Sequence, residues 1–332
     1  ADVFRCSVKP FTGEREKYTK KAFLSAVEAQ NEPAVAALVN DALAQGLRFK
    51  DLEASFTRAA FSHYHDTGHF LTHLVRTKAL MVRVGKEGEL ALIRALGRSF
   101  CYGKREELLP EFSSYASHFE KFPKRFGVRR LRVSAEETAR LKRPIEAMTW
   151  VAEKAKTFSA ESIFCALVRE MASQVLYFDL SYQQAVEKPV SQNVDFKDIV
   201  HGILFAPAVA WQCQAYPTFW PAGLLQMACF VGRYQPFVDR SQDVSQWQIS
   251  DQRASLREAT ERVLDHGLGS SVQSIHWVQM VTAVRALLEW VAAPDRPLLV
   301  AALRRYLFSP VKEKHVRRKA FQNLSLVARD FN

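Results

Sequence analysis

The stretch from Thr19 to Gly46, TKKAFLSAVEAQNEPAVAALVNDALAQG, reads as two helices in a row. Apolar residues return every three or four positions, Glu32-Pro33 opens the second segment and Gly46 closes it. Proline brings a φ already suited to a first turn, and glycine tolerates the left-handed exit, so this punctuation marks a helix.

The same period continues outward. Residues 51–84 carry Leu52, Phe56, Ala59 and Ala60 at three-and-four spacing and stop at Gly85. Residues 87–102 form another helix, and Pro110 begins a short one. Ser134 with Glu137 reads as a capping box opening a helix over 134–156, and Ser159 with Ser162 opens one over 159–187. Residues 189–193 are a linker. Helices then follow over 195–214, 220–233, 251–266, 270–292 and 296–308, separated by turns containing Pro or Gly. Val128–Val133, after Gly127, is the one strand-like excursion. Alternating patterns bounded by hairpin turns are nearly absent, and no fixed-period repeat appears. The expectation is an all-α, compact multi-helix domain over residues 1–332. Its histidine-bearing helices would converge on a central pocket, and any division into two lobes would fall near residue 190.

Composition agrees with a globular chain. Of 332 residues, 48% are hydrophobic and 24% charged, ordinary values that exclude disordered and collagen-like chains. A chain this long buries a core without disulfide staples. The longest apolar stretch, Gly202–Trp211, is interrupted by Pro207 and falls short of the ~18 residues of a membrane helix. The N-terminus reads as no secretory leader. Five cysteines (Cys6, Cys101, Cys165, Cys213, Cys229) are odd in number and lack a C-x-x-C, which points to reduced thiols rather than a structural zinc. These readings predict a cytoplasmic protein with no membrane partner.

The net charge is +11 and unevenly spread. Lys121, Lys124, Arg125, Arg129, Arg130, Arg132, Arg140, Lys142 and Arg143 crowd one segment; Arg304, Arg305, Lys312, Lys314, Arg317, Arg318 and Lys319 crowd another. Such clusters are either solvated faces or surfaces that steer an anionic partner, an acidic protein or an acidic substrate. No helix-turn-helix, zinc-finger or RNP-type motif argues for nucleic acid.

The densest polar cluster lies between Phe61 and His73, with His63, His65, Asp66, His69 and His73. On a continuous helix His65, His69 and His73 would share one face, where imidazoles one turn apart can converge on a metal and Asp66 can hold a ring nitrogen. Asp198-Ile-Val-His201 repeats the spacing of Asp66-Thr-Gly-His69, and His276 likewise begins an apolar helical run. Each of His69, His201 and His276 should face inward. Candidate metal ligands are therefore His65, His69, His73, His201 and His276. Tyr64, Tyr102 and Trp211 are candidate walls of a substrate pocket, with Tyr115 and Tyr177 nearby. Glu107 and Glu111 are either an acid–base pair or helix-start acidity with a salt bridge to Arg105. His118, His266 and His315 read as surface residues. The chain lacks G-x-G-x-x-G, G-x-x-x-x-G-K-[ST], G-x-S-x-G and C-x-x-C-H, so dinucleotide, triphosphate, hydrolase-elbow and covalent-haem chemistry have no motif. Noncovalent haem on a histidine stays open.

Two family resemblances arise from these residues. His65-Asp66-Thr-Gly-His69 resembles the metal motif of HD-domain phosphohydrolases, although no histidine precedes His63 to supply that pattern's earlier ligand. Across most of the chain a second set is similar to the questin oxidase-like family. It comprises His69-Phe-Leu-Thr-His73 running into Lys78-Ala-Leu, Arg105-Glu-Glu-Leu-Leu-Pro-Glu-Phe, Asp198-Ile-Val-His-Gly-Ile-Leu-Phe-Ala, Leu224-Leu-Gln-Met-Ala-Cys-Phe-Val-Gly-Arg233 and His276. The resemblance implies an all-helical oxidoreductase with inward histidines at positions 69, 201 and 276. It also implies flavin-free, Baeyer–Villiger-type oxygenation of an aromatic substrate. Related helical domains sit beside Rieske domains, which implies an acidic electron-transfer partner for a basic cluster. The chain departs at the first motif, where the family has Asn-His before a His pair and this sequence has His-Tyr-His-Asp. Substrate and reaction are thereby left open.

The expected function is thus an oxygenase acting on an aromatic or phenolic small molecule. His69, His201 and His276 would be catalytic, oriented by Asp66 and Asp198, with an iron ion or without any cofactor. The alternatives are an HD-type phosphohydrolase using His65, Asp66 and His69, and a non-enzymatic helical interaction module with basic faces.

Overall fold

The computed structural model describes residues 17–64, 68–185, 193–268 and 270–310, with 320 and 324. Among these the chain is all-α, and its β-pairing is limited to the isolated bridges Arg129–Phe158 and Phe178–Val238. Helices α1 (Lys20–Glu28) and α2 (Glu32–Ala44) form where the periodicity predicts them. The Thr19 hydroxyl accepts from the Ala22 N–H, Asn31 accepts from the Ala34 N–H, and Gly46 follows α2 at φ +82°. These caps satisfy N–H groups that a first turn otherwise leaves without intrahelical partners.

Helices α3 (Phe49–Ser62) and α4 (His69–Ser99) correct one expectation. Residues 51–84 are not one helix: His63 is extended at φ −131°, ψ 157°, and Gly68 is left-handed at φ 78°. The carboxylates of Glu28 and Glu107 hold both ring nitrogens of His63, anchoring it where the helix stops. The predicted break at Gly85 is present, at φ 73°, ψ −172°, a backbone conformation essentially confined to glycine. No helix starts at Pro110; the short α5 runs Tyr115–Glu120.

The expected helix over 134–156 is two, α6 (Ala135–Ala139) and α7 (Pro144–Ala155). Pro144 forces the residue before it out of the helical region, and Arg143 sits at φ −137°, ψ 149°. The capping box is only half formed. Ser134 accepts from the Glu136 N–H, while the Glu137 carboxylate turns to Lys154 (2.5 Å) and the Trp150 indole (3.2 Å). The helix over 159–187 likewise divides into α8 (Ala160–Leu176) and α9 (Ser181–Gln184). Helices α10 (Phe196–Ala215), α11 (Trp220–Tyr234), α12 (Gln252–Leu264), α13 (Ser271–Leu287) and α14 (Arg296–Phe308) follow the expected order.

Two units emerge. The first is Ala1–Ala116 with Ala208–Gly223, and the second is Ser117–Pro207 with Leu224–Asn332. Residue 190, where a division was expected, lies outside the described residues. In the first unit Phe56 meets Phe23 and Phe100 edge-on at 4.9 and 5.4 Å, and Phe70 stacks on Phe100 at 4.7 Å. Such aromatic geometry adds to the area each ring buries. Beside it the buried Glu53 takes the Lys78 ammonium (2.7 Å) and the Gln212 amide (3.0 Å), which satisfies its charge.

In the second unit α8 is buried along most of its length and packs against α14. Arg305 of α14, 3% exposed, donates to the carbonyls of Val175, Leu176 and Phe178. It thus satisfies the C-terminal carbonyls of α8 that have no N–H partner. Desolvation lowers its pKa to about 10, opposed by Asp179. No helix among the described residues is long and apolar enough to cross a membrane. Cys101, Cys165, Cys213 and Cys229 are free thiols, and Cys6 lies outside the described residues.

Candidate functional site

In the second unit the second turns of α10 and α13 bring His201 and His276 together across 75 positions of sequence. Their Nε2 atoms lie 3.4 Å apart, with ring centroids at 5.2 Å and planes at 73°. The Nδ1 of His201 meets the Asp198 carbonyl at 3.0 Å, and that of His276 meets the Val272 carbonyl at 2.7 Å. A carbonyl can only accept, so each Nδ1 carries a proton, and the Nε2 is the nitrogen at which either ring gains or loses one. Asp198 therefore orients His201, but through its backbone; its carboxylate accepts the Asp195 N–H at 2.9 Å and caps α10. Both imidazoles are half-buried rather than enclosed.

Two such nitrogens can share one proton or ligate one ion. Ligands about 2.0–2.1 Å from a tetrahedral ion stand roughly 3.4 Å apart, so the pair could also hold a zinc-like metal. Among the described residues no group of three or more His, Cys, Asp or Glu is arranged around a metal position.

The other histidine candidates belong to the first unit. His69 and His73 follow one another on the opening turns of α4 with ring centroids 5.7 Å apart, His69 half-buried and His73 exposed. His65 and Asp66 lie outside the described residues, and α4 begins at His69 after the left-handed Gly68. His63, which the sequence reading did not nominate, is held by the Glu107 carboxylate at Nδ1 and by Glu28 at Nε2 (2.6 Å). Glu107 also accepts the Tyr64 N–H at 3.0 Å. Arg105 does not pair with Glu107, as expected from their proximity in sequence; it binds Glu28 at 3.2 Å.

Of the expected pocket walls, Tyr64 is packed edge-on against Phe112 in the first unit's core. Tyr102, 65% exposed, and Trp211, 40% exposed, stand on the surface instead. His118 and His266 are half-buried: the first bonds the Thr149 hydroxyl at 3.0 Å and the second accepts the Leu268 N–H. His315 lies outside the described residues.

A separate cleft of about 330 Å³ opens in the second unit among Arg130–Val133, the start of α8 and the turn from Trp290 to Asp295. Arg132 grips the buried Asp295 carboxylate, and Arg169 approaches it at 3.9 Å while donating to the Val133 carbonyl at 2.6 Å. Desolvation lowers the Arg169 pKa, with Asp295 opposing. Burial and the nearby Asp295 and Glu161 charges push the Cys165 thiol up to about 11, which keeps it protonated near neutrality. The basic cluster announced Arg130 and Arg132, but Arg169 and Trp290 went unread. The available signal was Arg169-Glu170, a charged pair inside the otherwise apolar run of α8.

No protein-family model, no curated protein and no solved structure matches this chain.

Proposed function

We propose that the chain is an oxidoreductase of the oxygenase type, in which His201 and His276 take the proton of a phenolic substrate that then reacts with oxygen. The observation carrying this reading is the approach of the two Nε2 atoms at 3.4 Å, on rings whose Nδ1 protons are fixed by carbonyls. Imidazole is the side chain whose ordinary titration lies nearest neutrality, which suits it to general-base work. The nitrogen that takes the proton donates it to the second nitrogen, so the charge stays shared between the rings. The phenolate left behind is electron-rich and is the form that reduces oxygen. The resemblance to the questin oxidase-like family supports the same class of reaction.

Oxygen uptake is the test, using polyhydroxylated naphthalenes and anthraquinones with the purified chain. Uptake should fall by about 100- to 10,000-fold in both His201→Ala and His276→Ala, the usual weight of a general base. It should also decline in acid, because only the neutral ring accepts a proton. Chelator-sensitive uptake with one metal ion per chain would replace the base by a ligand pair. Full uptake in both variants sinks the proposal, and absence of uptake with every substrate favours the interaction module.

A further inference from the structure

The cleft beside α8 carries a second assignment that shares no residue with the histidine pair and does not depend on it. We infer that it binds a small aromatic carboxylate. Its volume, about 330 Å³, falls at the lower end of ligand pockets and suits one or two fused rings rather than a peptide. Three guanidiniums, Arg130, Arg132 and Arg169, face two carboxylates, Glu161 and Asp295, so one positive charge is left over. Asp295, 4% exposed, is already held by Arg132 and Arg169. Arg130 is exposed and forms no ion pair among the described residues. A monoanion balances that remainder; a phosphate dianion exceeds it.

Arg169 makes the site more than a basic surface. It is 6% exposed and lines the cleft, and its Nε has no hydrogen-bond partner. A buried guanidinium N–H without an acceptor is costly, and a planar two-oxygen anion matches the guanidinium fork. The N-terminal turn of α8 opens on the same cleft through Ser159 and Ser162 and adds the positive end of a 17-residue helix. Apolar side chains complete the lining. The Trp290 indole, set edge-on to Phe164 at 5.7 Å, stands with Leu131 and Ala292 as a wall for an aromatic ring. Guanidiniums and an indole in one lining define an amphipathic, singly charged ligand.

Isothermal titration of the full chain with 2-naphthoate tests the inference, with 2-naphthol as the neutral analogue and inorganic phosphate as the competitor. Binding tighter than about 1 mM is expected for naphthoate, a level accessible to a ligand of this size. It should weaken at least tenfold for naphthol and resist displacement by equimolar phosphate. Arg130→Ala removes an exposed, unpaired side chain, so it leaves the fold intact and should weaken naphthoate about tenfold, as should Trp290→Leu checked for an unchanged melting temperature. Absence of binding below 1 mM overturns the assignment. So does equal affinity for naphthol, displacement by equimolar phosphate, or unchanged affinity in Arg130→Ala.

Discussion

A single imidazole between two carboxylates behaves differently from an imidazole beside one. His63 donates to Glu107 and to Glu28, which requires a proton on each ring nitrogen and therefore the imidazolium. Desolvation is the largest single influence on its pKa and lowers it, but the hydrogen bonds and charges of Glu107 and Glu28 outweigh it, and the net direction is upward. A raised folded-state pKa contributes stability that is complete below the unfolded value, about 6.5. That contribution disappears as pH rises through the folded value. Melting temperatures of the native chain and of His63→Gln, compared from pH 5.5 to 9, should converge at the alkaline end. Glutamine keeps one hydrogen bond but cannot titrate. A gap that stays constant over the whole range would show that the proton on His63 is not linked to folding. The change should amount to a few degrees, because Glu28 is largely exposed and solvent screens that half of the pair.

At the scale of the element, the segment before α6 depends on one close backbone approach. The Gly127 N–H donates to the Ala155 carbonyl at 2.8 Å and the Arg129 N–H to the Thr157 carbonyl at 3.1 Å, laying the segment along the exit of α7. A Cβ on Gly127 would lie 2.1 Å from the Thr157 carbonyl carbon. Backbone cannot swing aside as a side-chain tip can, so Gly127→Ala should cost about 1–3 kcal/mol, the usual scale of overpacking. The same displacement should move Arg130 and Arg132 and weaken naphthoate binding, whereas a loss of stability alone would detach the segment from the cleft. Elements were the most legible feature of the sequence. The opening at Glu32-Pro33, the cap at Ser159 and the breaks at Gly46 and Gly85 are local, and local chemistry is written in neighbouring residues. The breaks at Pro144 and at His63 were legible only in part. Pro144 was present to be read, but His63 is held by partners 35 and 44 positions away, which no spacing rule reaches. The histidine pair was legible as two similar helix openings, because each imidazole is aimed by a carbonyl one turn back. The arginine cleft was not, since it joins three segments that carry no motif in common.

At the scale of the molecule the chain crosses between its units inside helices. Residues 208–215 of α10 and 220–223 of α11 belong to the first unit, and the remainder of both helices to the second. The first unit is therefore incomplete without mid-chain residues: the Gln212 amide bonds Glu53 and accepts from Thr57, and Phe219 stacks on Phe61 at 5.4 Å. Helix propagation is cooperative, so melting one unit should shorten helices on which the other depends. Against this stands Pro207, which removes a hydrogen bond from α10 at the point of division, although α11 has no comparable interruption. The thiols report which influence prevails. Burial pushes Cys101 up to about 11 and holds Cys213 well above the usual thiol range, and Cys229 is fully buried, so none should alkylate at neutral pH before unfolding. Cys101 and Cys213 lie in the first unit and Cys229 in the second. Under graded urea, with a brief alkylation pulse read by mass spectrometry, all three should become reactive at one midpoint. Separate midpoints would mean that Pro207 lets the units melt independently, and that the continuity of α11 transmits too little to couple them.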